Sequence, residues 1–133
     1  STNNSGCMPL HAAAANGHAA VVDMLLRANA AVDAKNGDGI TPLNLAARSG
    51  HAGVMQRLLA ANASANAADT SGWAPLHAAA ANGRIAVLDM LLAANAAVGA
   101  TTGDGFTPLH LASQNGHTDV IDRLLVAAAA VNP

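Results

Sequence analysis

The chain has no glutamate and no tyrosine, and its 133 residues include only one lysine, one tryptophan and one phenylalanine. Aromatic residues make up 2% of the chain, against 52% hydrophobic residues overall. Most of that apolar content is alanine, so the core must come from closely packed helices, without large side chains to fill gaps. One cysteine, Cys7, excludes an intrachain disulfide and any framework for oxidative folding. The basic side chains are Arg27, Lys35, Arg48, Arg57, Arg84 and Arg123, spread over the whole length, and the net charge is −2. Without a basic stripe, neither nucleic acid nor an anionic membrane surface is an expected partner. No apolar run approaches the ~18–20 residues that cross a bilayer. The opening STNNSG has neither the basic nor the apolar region of a secretory signal. The expected location is intracellular, in the cytoplasm.

What the chain does have is a period. GCMPLH at 6–11, GITPLN at 39–44, GWAPLH at 72–77 and GFTPLH at 105–110 place prolines at 9, 42, 75 and 108, 33 residues apart. A fixed period of this size signals an array of stacked units. Each proline suits the first position of a helix, where its missing N–H costs nothing. Glycines 17, 50, 83 and 116 close that short helix in the left-handed conformation. A second helix follows, its apolar face carried in the first unit by Val21, Val22, Leu25 and Leu26. Asn29, Asn62 and Asn95 end it, asparagine being the second choice for a left-handed position. The fourth unit has Ala128 there, which predicts a last helix running on through about Ala128–Ala130 until Pro133 stops it. Between units, segments such as Asn36-Gly37-Asp38-Gly39 predict tight hairpin-like reversals. A coarser period is also visible. Units one and three share PLHAAAANG and DMLL, while units two and four share TPL after GDG and RLL, with Arg57 matching Arg123.

G-x-TPLH-x-AA-x-x-GH, then VV-x-x-LL, then a turn, in four in-phase copies over about residues 5–133, resembles the ankyrin repeat. The resemblance implies an all-α solenoid of stacked helix-turn-helix units with projecting β-hairpin-like loops. The units fall at about 1–33, 34–66, 67–99 and 100–133 of one domain. It implies partner binding on a concave face made by hairpin tips and first helices, no catalysis and no cofactor. The chain departs from the family pattern at several positions. Thr41 and Thr107 keep the usual helix cap, but Met8 and Ala74 cannot cap, at a cost of about 1 kcal/mol each. Asn44 replaces the usual histidine, which puts that residue's hydrogen-bond bridge in question. Asp69 keeps the family's hairpin aspartate, while Asn36 and Thr102 take its place in two other copies. These irregularities run against a fully idealised consensus design.

The slot before each cap position holds Cys7, Ile40, Trp73 and Phe106. The chain's only two aromatics thus share one phase, along a ridge with a step of about 10 Å between packed elements. Tryptophan is strongly enriched at binding hot spots, so Trp73 and Phe106 are the expected anchors for a partner protein, with Ile40, Arg48 and Asp104 around them. Asp38 at a hairpin tip, and Asn82 and Gln114 at the ends of first helices, complete the expected contact set. Packing between hairpins is the competing reading of the ridge. The histidines occupy two repeated slots: His11, His77 and His110, and His18, His51 and His117. Equivalent residues of stacked units are too far apart to converge within the ~2.0–2.1 Å of a zinc ion, so no metal is expected and the histidines read as bridges between units. Cys7 near His11 has no enclosing pocket, Ser113 sits in a small-residue slot, and Asp119 and Asp122 share a surface helix; none builds a catalytic group. The resemblance also marks Asn66, late in its unit, as a target for asparaginyl hydroxylation. The alternative to partner binding is a structural spacer or model repeat scaffold without a specific ligand. The expected state is a monomer, with end-to-end association open to it because neither end carries an obviously polar capping unit.

Overall fold

The computed structural model describes residues 9–28 and 30–131. Expectations for residues 1–8, Asn29 and Pro133 lie outside the described residues. Among the described residues eight helices follow one another in short–long pairs: α1 Pro9–Asn16 and α2 Ala19–Arg27, α3 Pro42–Ser49 and α4 Ala52–Ala60, α5 Pro75–Ala81 and α6 Ile85–Ala93, α7 Pro108–Gln114 and α8 Thr118–Val131. We number the pairs as repeats 1–4. Odd-numbered helices pack in one row, each against the next, and even-numbered helices in a second row behind it. No strand is present among the described residues, and each connection between repeats 1–2, 2–3 and 3–4 carries a tight reversal, here called a finger.

The helix boundaries follow the local chemistry. Thr41 Oγ1 accepts from Asn44 N at 3.2 Å, and Thr107 Oγ1 accepts from His110 N at the same distance. Proline occupies the first turn behind each. The first helices end at glycines with φ between +67° and +79°. The second helices end at Asn62 (φ 69°) and Asn95 (φ 64°), the only described non-glycine residues with positive φ. As the alanine at 128 predicts, α8 has no such stop and reaches Val131.

The core is a ladder of equivalent positions. Leu10, Leu43 and Leu76 are at most 2% exposed, and alanines of the first helices, among them Ala14, Ala47 and Ala80, are fully buried between rows. Val54, Val87 and Val120, together with Leu58, Leu91 and Leu124, close the second row. Alanine at the contacts lets helix axes approach closely, so short helices can pack in a chain poor in aromatics.

Polar groups also join one repeat to the next. His11 Nε2 bonds the carbonyl of Ile40 at 2.8 Å, Asn44 Nδ2 donates to that of Trp73 at 2.8 Å, and His77 Nε2 bonds that of Ala100 at 2.8 Å. Asparagine therefore preserves the forward bridge at position 44. It does so incompletely. In repeat 3 the His77 Nδ1 also accepts from the N–H of Ala74 at 3.0 Å, whereas Asn44 Oδ1 is buried without a partner. Bridges run backwards too: His51 Nε2 to Ala15 O at 3.1 Å, Arg84 Nε to Arg48 O at 3.3 Å and His117 Nε2 to Ala81 O at 3.0 Å. Each of these side chains fills the space over the preceding repeat's turn glycine. A Cβ at Gly17, Gly50 or Gly83 would lie 2.8 Å from His51, Arg84 or His117, so both conformation and close approach require glycine there. Ion pairs join Asp23 to Arg57 at 2.7 Å and Asp89 to Arg123 across the second row.

Two substitutions test this account. Ala74 heads α5 without a side-chain cap, while the equivalent Thr41 is both buried and capping. Ala74→Thr is expected to stabilise the fold by about 1 kcal/mol in urea unfolding. Asn44→His supplies the missing acceptor for the cap residue's N–H and is expected to add on the order of 1 kcal/mol; an unchanged midpoint would show that the lone Asn44 oxygen carries no cost.

Candidate functional site

Each finger is closed by the same device. Asp69 Oδ1 accepts from the N–H groups of Ser71 (2.8 Å) and Trp73 (3.0 Å). Asn36 Oδ1 does so from Asp38 and Ile40, and Thr102 Oγ1 from Phe106. A backbone pair completes each loop, as in Asp69 N to Trp73 O at 3.0 Å. Three different residues thus perform one task, because all that is needed is a short side chain ending in an oxygen acceptor. Fingers are tied to one another by Thr70 N to Asp38 O (3.2 Å) and Gly103 N to Ser71 O (2.8 Å). A Cβ at Gly72 would lie 2.6 Å from Gly103 N, so the second and third fingers are in backbone contact.

Where the second finger meets the first-helix row, the surface opens into a cleft of about 270 Å³ lined by Arg48, Asp69, Ser71, Trp73, Ala78 and Asn82. Ala78, only 1% exposed at its floor, occupies the position that Ala12, Leu45 and Leu111 hold in the other repeats. The indole is partly exposed and leans on the His77 ring, with centroids 6.2 Å apart and planes tilted by 52°. Arg48 stands at one side, exposed, with its Nη2 3.9 Å from Asp69 Oδ2. At that distance the guanidinium keeps donors free for a further acceptor. Asn82 spends its Nδ2 on Ala78 O at 2.9 Å.

Of the expected contact residues, the structure brings Trp73, Arg48 and Asn82 into this cleft. Asp38 and Asp104 are exposed on the fingers to either side. Phe106 is partly exposed one finger along, over His110 at 6.3 Å, and Gln114 is exposed at the end of α7. Ile40 is only 8% exposed, so its side chain belongs to the packing under the first finger and has little to offer a partner. Asn66 is exposed, and its Oδ1 accepts from Ala97 N at 2.8 Å, just as Asp33 Oδ1 accepts from Ser64 N at 2.9 Å. It therefore caps the turn of the following repeat. Ala78 had not been singled out as a site residue; the signal was its alternation with Leu45 and Leu111 at one slot.

The cleft thus brings together one aromatic, one cation and the backbone-anchored carboxylate of Asp69. Among the described residues no three metal-ligating side chains converge, and no helix is long and apolar enough to cross a membrane. Such stacked helix pairs, joined by side chains reaching backbone carbonyls of the next pair, define a helical repeat solenoid. The family model for ankyrin repeats (3 copies) matches residues 10–102 and again 51–133, and the chain belongs to that family. Ankyrin repeats are in general protein–protein interaction modules. No curated protein matches the chain.

Burial lowers the His77 pKa below 6.5, with the carbonyls of Ala100 and Phe106 and the charge of Asp69 opposing in part. Unfolding then releases a histidine that takes a proton more readily. Stability from this group is fully present above about pH 6.5 and is lost as pH falls through the lower folded value. Urea unfolding at pH 7.5 and pH 5 is expected to show a loss that is smaller in His77→Asn, which places at this slot the side chain found at Asn44. An identical pH dependence in the two proteins would remove His77 from this role.

Proposed function

We propose that the chain binds a partner protein through the cleft beside the second finger, with Trp73 as the anchor. The observation that carries this reading is the cleft lined by a partly exposed indole and the Arg48 guanidinium. A preformed cavity next to a rigid aromatic suits a side chain inserted by a partner. Arg48 and Asn82 supply hydrogen bonds at its margin. Phe106, Gln114, Asp38 and Asp104 extend the surface along neighbouring repeats, where register and charge set specificity. Because the fingers are bonded to one another and to the helices, little ordering is left to be done on binding.

The test is quantitative affinity capture with the chain beside two variants, Trp73→Ser and Ala78→Leu. Circular dichroism would confirm that both fold. Leucine is already accommodated at this slot in Leu45 and Leu111, so Ala78→Leu alters the floor of the cleft while retaining the repeat. A genuine cleft partner is expected to be lost from both, with Trp73→Ser costing about 2 kcal/mol or more. A partner retained equally by all three proteins places the site elsewhere. Absence of any specific partner favours the spacer reading.

A further inference from the structure

The peptide unit joining Trp73 to Ala74 is clamped on both sides. Its carbonyl accepts from Asn44 Nδ2 at 2.8 Å and from the N–H of Asp69 at 3.0 Å. Its N–H donates to His77 Nδ1 at 3.0 Å. Since Nδ1 accepts, the proton of the neutral ring lies on Nε2, which donates to Ala100 O at 2.8 Å. The ring is 1% exposed, and the indole leans on it with centroids 6.2 Å apart. Both ring nitrogens are committed, and only the neutral form makes both bonds.

A proton added at Nδ1 points at the Ala74 N–H, and two donors cannot share one bond. The same position in repeat 4 shows what is missing. There Thr107 Oγ1 lies 2.8 Å from His110 Nδ1, so a hydroxyl can turn a lone pair toward the protonated ring. Alanine at 74 has no such oxygen. Repeat 2 has no titratable ring at this slot, because Asn44 occupies it. The alanine that leaves α5 without a side-chain cap thus also leaves His77 unable to carry a charge in place.

The charged groups on the surrounding elements are engaged elsewhere. Asp69 on the second finger favours the charged ring. Its Oδ1 already accepts from Ser71 and Trp73, however, and its Oδ2 faces Arg48 of α3 at 3.9 Å. Arg84, ahead of α6, is turned onto Arg48 O, and Asp89 of α6 is paired with Arg123. Asp104 on the third finger is exposed, and His110 of α7 is exposed and engaged by Thr107. We propose that His77 makes the cleft an acid-released site: protonating the ring unclamps the peptide after Trp73, and the indole no longer stands where a partner meets it. This rests on the reading of the cleft as a partner site anchored by Trp73. Burial favours the neutral ring, so the binding form prevails at neutral pH and is lost as pH falls through the lowered folded value. By linkage, a partner seated against Trp73 holds His77 neutral, and charging His77 weakens the partner by the same factor.

The chain has one tryptophan and no tyrosine, so indole fluorescence reports on Trp73 alone. Acrylamide quenching of the free chain, followed from pH 7.5 downward with circular dichroism at each step, reads access to that indole. Quenching is expected to rise in one step while the helical signal is still intact. His77→Asn, which keeps a forward bridge of the kind Asn44 makes, is expected to show no step. Ala74→Thr gives the charged ring its oxygen, so its step is expected to begin at higher pH and to be smaller. A step that persists in His77→Asn belongs to another group, Asp69 first, and overturns the proposal. So does a step that Ala74→Thr leaves unchanged, or an indole that stays fixed until the helices are lost. A protein captured in the cleft at pH 7.5 is expected to bind about fivefold or more weakly at pH 5, and to lose less with Ala74→Thr. Because quenching is read on the free chain, a step without any cleft partner leaves His77 acting on the indole and removes only the binding reading.

Discussion

The structure depends on side chains reaching backbone carbonyls in a neighbouring repeat. His11, Asn44 and His77 reach forward from first helices, and His51, Arg84 and His117 reach back from the turns. Apolar burial alone would let short alanine-rich helices slide, because one alanine surface resembles another. A hydrogen bond to one named carbonyl does not slide. The polar bridges therefore set the register in which the leucine and valine ladders meet, and the turn glycines make room for them. Each repeat touches only its neighbours, so the register is set separately at every junction.

Much of this was legible in the sequence because it depends on local conformation. A proline behind a threonine, a glycine at a helix end and an asparagine at the next are each read from a few adjacent residues, and Asn62 and Asn95 do adopt positive φ. The long last helix followed from a single alanine. What was not legible spans one repeat length. Asn66 and Asp33 look like loop residues, yet each caps a turn 31 residues on. Arg84 departs from a histidine slot but keeps its task, since a guanidinium also reaches over glycine to the same carbonyl. The burial of Ile40 beside partly exposed Trp73 and Phe106 depends on how the fingers stack, which the shared phase of the three residues does not reveal.

The cleft shows the same limit. In a chain dominated by alanine, one more alanine at position 78 attracts no notice. Only the folded stack places it on the floor of the cleft beside Trp73, with Leu45 and Leu111 at its slot on the helices to either side.

The two ion pairs of the second row fall within repeats 1–2 and within repeats 3–4, and the seam between these halves has none there. The cleft lies on that seam, with Arg48 from one half and Trp73, Ala78 and Asn82 from the other. Any molecule seated in it holds both halves at once. Its binding free energy is then added to the cohesion of the array at the junction whose second row has no ion pair, so that occupancy would register as resistance of the whole stack to parting in the middle.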